Sequence, residues 1–317
     1  MVEPATADSI ARAAQLIGRG AVVAFPTETV YGLGADATNA AAAAQIFAIK
    51  ARPSFDPLIV HIEGGAMLHA VAAQVPDAAR ALVAAFWPGP LTVVLPKRAA
   101  IPDIVTAGLP SVAVRQPEHP VARALLRAAG RPIAAPSANP FGYVSPTTAA
   151  HVEAQLGAQV PLILDGGPCR VGVESTIISF IDAAPALLRP GGIGLEDIER
   201  VIGPVRLAAD TVRPSAPGQL PSHYAPRTSL ELVATLADIP AGARGTAALL
   251  LPRPDAAARG FACVEVLSDD GDPAVIAANL FAALRRLDAG GYARLFALPV
   301  AEVGLGRAIM DRLRRAS

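Results

Sequence analysis

Apolar residues in the first two thirds of this chain gather into short unbroken runs separated by stretches with helical spacing. The unbroken runs are Ala21–Phe25, Leu58–Ile62, Leu91–Leu95, Val112–Arg115, Ile133–Ala135, Leu162–Leu164, Thr176–Phe180 and Ala186–Leu188, and they read as buried strands. Helical spacing covers Thr6–Gly18, Asn39–Lys50, Pro76–Phe86, Pro120–Ala129, Thr147–Leu156 and Leu195–Val201. Asp36 or Thr38 suits the cap of the second helix, and Pro120 suits a first helical turn. Many strands with helices scattered among them predict an α/β (α+β) fold, a mixed sheet with helices packed on it.

The pattern then breaks. "RPSAPGQLPSHYAPR", residues 213–227, holds Pro214, Pro217, Pro221 and Pro226, which predicts an extended segment that forms no helix. Strand runs resume at Leu230–Ala234, Ala247–Leu251, Val264–Leu267 and Leu295–Pro299, with helices at Pro273–Asp288 and Leu305–Arg315. This predicts a second, smaller Rossmann-like α/β unit of order β-β-β-α-β-α. "GLGRAIMDR" lacks the full dinucleotide fingerprint and reads as a helix start. The expected division is residues 1–208, a linker or lid over 209–228, and 229–317.

Composition narrows the classes. The 317 residues carry 27 basic and 27 acidic side chains, which argues against a strongly basic nucleic-acid surface. Apolar content of 52% with 17% charge describes a globular chain. Cys169 and Cys263 lie far apart and form no metal-type pair. The first ten residues show no secretory pattern and no apolar run reaches membrane length, so a cytoplasmic protein with no membrane partner is expected. Of the basic residues only Lys50 and Lys97 are lysines, so each marks a place where a compact point charge replaces a planar guanidinium.

Candidate chemistry lies at strand ends. In "FPTETVYGLGADATNA" Pro26 ends a strand, Thr29 offers a hydroxyl, and Gly32 and Gly34 permit positive φ or a close backbone approach. In "IKARPSFDPLIVHI" Lys50 and Arg52 flank a proline-rigid turn, either as an anion clamp or as partners of helix C-terminal carbonyls. Arg115 leaves its strand in "SVAVRQPEHP", facing a ligand crevice or pairing with Glu118 on the surface. Ser137, Asn139 and Ser145 in "APSANPFGYVSPTT" suit phosphate or ribose oxygens, or an ordinary turn. "VESTI" and "LLRPGGIG" add Glu174, Ser175 and Arg189. No Ser–His–Asp set, metal cluster or close carboxylate pair emerges; the set suits anions.

In this order, "PTETVYGLG", "KARP…PLIVHI", "SVAVRQPEHP", "PSANPFGYVSPT", "VESTI" and "LLRPGGI" resemble the YrdC-like family, in the long two-domain form of the threonylcarbamoyl-AMP synthases. The resemblance covers about residues 5–205, and "HYAP" with the following small unit extends it over nearly the whole chain. It implies a twisted mixed sheet around a positive cavity. It implies a nucleotidyltransferase that joins L-threonine, bicarbonate and ATP, with Mg²⁺ on the nucleotide, into L-threonylcarbamoyladenylate and pyrophosphate. That product feeds t6A modification of adenosine 37 in tRNA through a downstream transferase complex. By motif, Thr29, His61, Arg115 and Ser175 would contact threonine. Lys50 and Arg52 would hold anionic groups and carry the chemistry. Ser111, Ser137, Asn139, Ser145 and Arg189 would line the ATP site, with His223 and Tyr224 closing over it. Three positions depart from the family pattern: Asp56 stands where asparagine is common, Ser111 where threonine is common, and Ser222 where a basic residue is common before "HYAP".

The implied chemistry needs no strong general base. The free amine of threonine takes up CO2 or bicarbonate as a carbamate, whose oxygen attacks the α-phosphate. Cations that offset repulsion between the anionic groups would be the main contribution. A carbamoyl-transfer enzyme of the hydrogenase-maturation type would need extra zinc-finger and acylphosphatase-like regions. A double-stranded RNA or tRNA-binding protein would be expected to carry more positive charge.

Overall fold

The computed structural model describes residues 1–208, 214–220 and 223–317. The larger sheet contains β1 (Val2–Pro4), β2 (Val23–Phe25), β3 (Gly32–Asp36), β4 (Ile59–His61), β5 (Leu91–Pro96) and β6 (Ser111–Arg115). It continues with β7 (Ile133–Ala134), β8 (Ile163–Asp165), β9 (Thr176–Ser179), β10 (Ala186–Arg189) and β11 (Arg206–Leu207). Its spatial order among the described residues is β1-β8-β2-β3-β7-β4-β6-β5-β9-β10-β11. Parallel pairs such as β4–β6 and β5–β9 alternate with antiparallel ones such as β5–β6 and β9–β10, so the sheet is mixed as expected.

Eight helices surround it: α1 (Ala7–Gly18), α2 (Ala40–Lys50), α3 (Gly65–Val71), α4 (Asp77–Phe86), α5 (Asp103–Thr106), α6 (Pro120–Ala129), α7 (Ala149–Leu156) and α8 (Leu195–Ile202) among the described residues. Thr6 caps α1, accepting from Ser9 N at 3.2 Å while the Ser9 hydroxyl accepts from Thr6 N at 2.9 Å. The expected cap of α2 is corrected. Asn39 fills it, its Oδ1 accepting from Ala41 N and Ala42 N, whereas Asp36 lies in β3 and accepts from Thr38 and Arg131.

The glycines of "YGLGAD" show which of their two uses applies. Gly32 and Gly34 are strand residues without positive φ. A Cβ on Gly34 would stand 2.6 Å from the Phe25 ring and 2.7 Å from Ile133, so the requirement is close packing. Helices α3 and α5 and strands β1, β3 and β11 are absent from the pattern reading; all are short or glycine-bearing.

The two faces of the sheet are covered differently. On one, Val60, Val93, Val112, Val114 and Ile178 pack with Ile46 of α2, Leu82 of α4 and Ile198 of α8. On the other, α1 and α6 bring Ile17 and Leu125 against Phe25 and Ile133. Further along that second face, Ile59, Val94, Ala113 and Ile177 pack against Ala216, a residue of the proline-rich segment.

The smaller sheet is β12 (Leu230–Leu232), β13 (Ala247–Leu251), β14 (Cys263–Val266) and β15 (Arg294–Ala297), all parallel in the order β12-β15-β13-β14. Helices α9 (Ala241–Arg244), α10 (Pro273–Ala289) and α11 (Leu305–Ala316) complete it, with α9 the element the pattern did not predict. Residues of α10 and α11 share one apolar core with Val30, Val144, Val173 and Tyr224, which joins the two units. Arg285 on α10 ties down the loop after β7 and the helix that follows it, donating from Nε to Ser145 O at 3.3 Å and from Nη2 to Gln155 Oε1 of α7 at 2.9 Å.

Close backbone approach also fixes the turn after β10. A Cβ on Gly191 would lie 2.3 Å from Ser175 C and Thr176 N, atoms that cannot rotate aside. Gly191→Ala is therefore expected to lower stability by about 2 kcal/mol or more, read as a reduced urea midpoint at unchanged m-value.

Candidate active site

Strand polarity brings particular side chains to one edge of the larger sheet. Strands β4, β6 and β10 end there, and β5 and β9 begin there. His61 and Arg115 are the last residues of β4 and β6 and stand opposite one another in register. Arg189 is the last residue of β10, and Glu174 and Ser175 immediately precede β9. The Thr27–Tyr31 turn between β2 and β3 and the chain at Ala135–Ser137 complete the walls. Pro217, Gly218, His223 and Tyr224 of the proline-rich segment close the top and leave about 40 Å³ free.

The walls are charged and buried. Arg115 donates from Nη2 to Glu28 Oε1 at 2.6 Å and from Nη1 to Thr29 Oγ1 at 2.9 Å. Burial pushes the Glu28 carboxyl up, and the Arg115 guanidinium outweighs this and holds it below the usual range. Arg189 donates to Ser175 O at 2.9 Å and Ser175 Oγ at 3.2 Å, and to Pro217 O at 3.2 Å. The Ser175 hydroxyl is shared with Thr92 at 2.7 Å. Arg52 donates from Nε to Asp56 O at 3.0 Å and from Nη2 to Pro57 O at 2.8 Å. Its Nη2 also lies 2.9 Å from Asp56 Oδ2, a contact of charges without hydrogen-bond alignment. Burial, opposed by Arg52 and Lys50, raises the Asp56 carboxyl above its ordinary value.

On the cavity wall three buried polar atoms have no hydrogen-bond partner among the described residues: His61 Nδ1, His223 Nδ1 and Tyr224 OH. Such atoms are rare in folded proteins, and their gathering around one cavity marks a place built for another molecule's polar groups. Tyr224 also holds φ of +66°, a costly left-handed conformation for a bulky residue.

Of the residues singled out in the sequence, Thr29, Arg52, His61, Arg115, Ser137, Ser175, Arg189, His223 and Tyr224 line this cavity. Lys50 does not. Its ammonium sits behind the wall, donating to Ser137 O at 2.5 Å and to Asn139 O, and burial followed by Arg52 drives its pKa well below the ordinary value. Asn139 donates to Pro140 O and Tyr143 O, and Ser145 donates to Glu174 Oε1 at 2.6 Å, so both brace the same loop. Ser111 lies at the opposite end of β6 from Arg115, in a second cavity of about 360 Å³ with Val94, Ser179, Leu188, Ser215 and Gln219. Asp56 does sit beside the Arg52 clamp, while Ser222 lies outside the described residues. The suggested Arg115–Glu118 pair is corrected, because Glu118 bonds Arg170 and Arg115 turns inward to Glu28. Glu28, a cavity-wall partner missed in the sequence, lies in the same "PTETV" run as Thr29. Among the described residues no group of three or more His, Cys, Asp or Glu side chains is arranged to hold a metal, and no helix is long and apolar enough to cross a membrane.

Fold and site together define a class: a mixed α/β protein with a buried, arginine-rich cavity at one sheet edge beneath a proline-rich strap. Residues 15–191 match the family described as "Telomere recombination", and residues 193–317 match "Threonylcarbamoyl-AMP synthase, C-terminal domain". The chain belongs to the threonylcarbamoyl-AMP synthase family. It is 43% identical over 320 residues to the threonylcarbamoyl-AMP synthase of Pyrococcus abyssi, covering 96% of this chain and 93% of the relative. With the Bacillus subtilis synthase it shares 42% over 324 residues, covering 97% and 92%. The crystal structure of P. abyssi Sua5 complexed with L-threonine is similar at a TM-score of 0.92 and 40% identity, covering 100% of this chain and 96% of that one.

The buried imidazoles give a pH test. Burial first, then cations nearby, push His61 and His223 down to about 3. Between about pH 6.5 and 3 the unfolded chain therefore takes up protons that these folded sites refuse, and stability falls as pH falls through that window. His119 and His151 shift the same way. Urea midpoints are expected to drop between pH 7.5 and 5.5, and less so in a His61→Gln/His223→Gln variant; the His61 ring protons should not titrate by NMR above about pH 4.5.

Proposed function

We propose that this cavity joins L-threonine, bicarbonate and ATP into L-threonylcarbamoyladenylate, releasing pyrophosphate, as the first step towards t6A at position 37 of tRNA. One observation carries the reading: three buried guanidinium groups, Arg52, Arg115 and Arg189, converge with Thr29, His61 and Ser175 on one cavity. Threonine's neutral amine adds to CO2 and loses a proton, or condenses with bicarbonate and expels water, and becomes a carbamate. The carbamate oxygen bonds to the α-phosphorus, and the bond to pyrophosphate breaks. Every reactant in the second step is anionic, so charge neutralisation and alignment are what the site contributes.

The assigned roles follow from position. Arg115 pairs with the threonine carboxylate; Thr29, His61 and Ser175 take its remaining polar atoms. His61 suits this because it stays neutral with Nδ1 unpaired. Arg52 and Arg189 face the phosphates. Lys50 is assigned to them as well, and in this state it holds the Ser137 and Asn139 carbonyls. Ser137, Asn139 and Ser145 form the wall on the nucleotide's side, with His223 and Tyr224 above.

ATP needs more room than 40 Å³. Ser111, Ala113 and Arg115 alternate onto one face of β6, a track about 13 Å long. Ala216 rests on that track between the two cavities. In this reading the segment around Ala216 withdraws, the nucleotide lies along the track with its phosphates at Arg115's end, and the strap returns over it. Residues 1–208 then supply the cavity, 209–228 the strap, and 229–317 its anchor. Mg²⁺ fits as an ion carried by the phosphates: Glu28 and Glu174 are each bonded to arginine and Asp56 touches Arg52, so none is free to serve as a dedicated ligand. The setting is taken to be the cytoplasm, with the adenylate passing to a transferase complex that acts on tRNA.

The test is pyrophosphate release from ATP and bicarbonate, with L-threonine, without it, and with serine. Threonine-dependent release is expected, falling at least about 100-fold in Lys50→Ala and Arg52→Ala. A folded protein that releases none under any condition, yet retains tRNA at moderate salt, would instead be an RNA-binding protein on this fold.

A further inference from the structure

The last helix of the chain reaches the cavity from behind. Arg312 on α11 is 0% exposed and heads the fully buried side chains by size. Its Nε donates to Glu174 Oε2 at 2.8 Å, its guanidinium lies 5.0 Å from the centre of the Tyr224 ring, and Nη1 donates to Asp311. Glu174 continues the chain of contacts. Its Oε1 accepts from Ser145 Oγ at 2.6 Å, and its backbone carbonyl accepts from Gly192 N at 3.0 Å. Glu174 lines the cavity; Arg312 does not.

A buried carboxylate is an awkward wall for a site that gathers phosphates and a carbamate. At short range and low effective dielectric, an uncompensated negative charge beside ATP weakens its binding substantially. Arg189 does not hydrogen-bond Glu174; its donors go to Ser175 and Pro217. Burial pushes the Glu174 carboxyl up, and Arg312, followed by Arg189 and the Ser145 hydroxyl, reverses this and holds it below the ordinary range. The same arginine lies over the ring of Tyr224, which also stacks with Phe281 of α10 at 5.5 Å.

We propose that Arg312 is a positioning residue for the reaction: from the smaller unit it neutralises Glu174, locks that carboxylate between itself and Ser145, and seats Tyr224 over the cavity. The C-terminal unit thereby completes the charge balance of a site whose other walls come from the larger sheet. This rests on the synthase reading of the cavity.

Four full-length proteins test it: wild type, Arg312→Gln, Glu174→Gln and the double variant. Each is checked for folding by thermal melting, then measured for ATP affinity by calorimetry and for threonine-dependent pyrophosphate release. Arg312→Gln is expected to weaken ATP binding about tenfold to a hundredfold, with kcat/KM falling in step. Glu174→Gln alone is expected to tighten ATP binding, because it removes the negative charge and keeps the bond to Ser145. The double variant should return to within about threefold of wild type, since a neutral pair replaces a neutralised one. In Arg312→Gln the charged and titratable groups still facing Glu174 are Arg189 on β10 and His223 and Tyr224 of the strap, while Asp311, the other partner of Arg312, keeps its bond to Arg315. Its carboxyl then takes up a proton at higher pH, and the affinity deficit relative to wild type narrows from pH 8 to pH 6. Equal losses in both single variants with no recovery in the double would reduce Arg312 to a structural tether and overturn the proposal. If Arg312→Gln does not fold, the double is compared with Glu174→Gln: a change under about threefold in ATP affinity supports the proposal, and a loss of tenfold or more overturns it. A wild type without threonine-dependent release refutes the synthase reading itself, whereas an active wild type with Arg312→Gln within about twofold refutes only the role of Arg312.

Discussion

Keeping guanidinium groups out of water at one sheet edge is the constraint on which the rest of this structure depends. Each buried charge costs several kcal/mol of desolvation, about as much as a domain can lose. The protein offsets it locally. Arg115 has Glu28 and Thr29, Arg52 has Asp56 and two backbone carbonyls, and Arg189 has Ser175 and Pro217. The compensation leaves His61, His223 and Tyr224 each with an unpaired buried atom on the cavity wall, and this residue of unsatisfied polarity is what the proposed function assigns to substrate.

The same constraint explains the two-unit architecture. A sheet edge alone leaves the second face of β4, β6, β5 and β9 open, and the strap residue Ala216 covers it. The strap is held in turn by the smaller unit: His223 N donates to Arg315 O, and Tyr224 packs against Phe281 of α10 and Arg312 of α11. Arg285 fixes the Ser145 loop from the same side. The apolar core shared between Val30, Val144, Val173 and α10–α11 gives these polar contacts a rigid base.

Much of this was legible in the chain. Continuous apolar runs located β5, β6, β9 and β13 because strands buried on both faces need no polar alternation. Strand-end positions marked Arg115, Ser175 and Arg189, and the family motif added His61; mixed pairing directions return all four to one edge. What escaped the pattern has physical reasons. Strand β3 is glycine-bearing because Phe25 and Ile133 leave no room for a Cβ, so its sequence resembles a loop. Glu28 was overshadowed by Glu118, three residues from Arg115, because sequence proximity says nothing about a side chain that turns inward. Lys50 read either as half of an anion clamp or as a partner of helix C-terminal carbonyls, and nothing local showed that it is one of the larger fully buried side chains, bonded to the Ser137 and Asn139 carbonyls. Arg312 lies 138 positions from Glu174, and no local pattern connects them.

The central claim is that one cavity assembles threonine, a one-carbon unit and an adenylate. Mass spectrometry of the product formed from ATP, L-threonine and ¹³C-bicarbonate tests it most directly. The account predicts a threonylcarbamoyladenylate carrying one ¹³C atom, formed only when all three reactants are present. Pyrophosphate release with an adenylate that lacks the label, or with no threonine in it, would contradict the account.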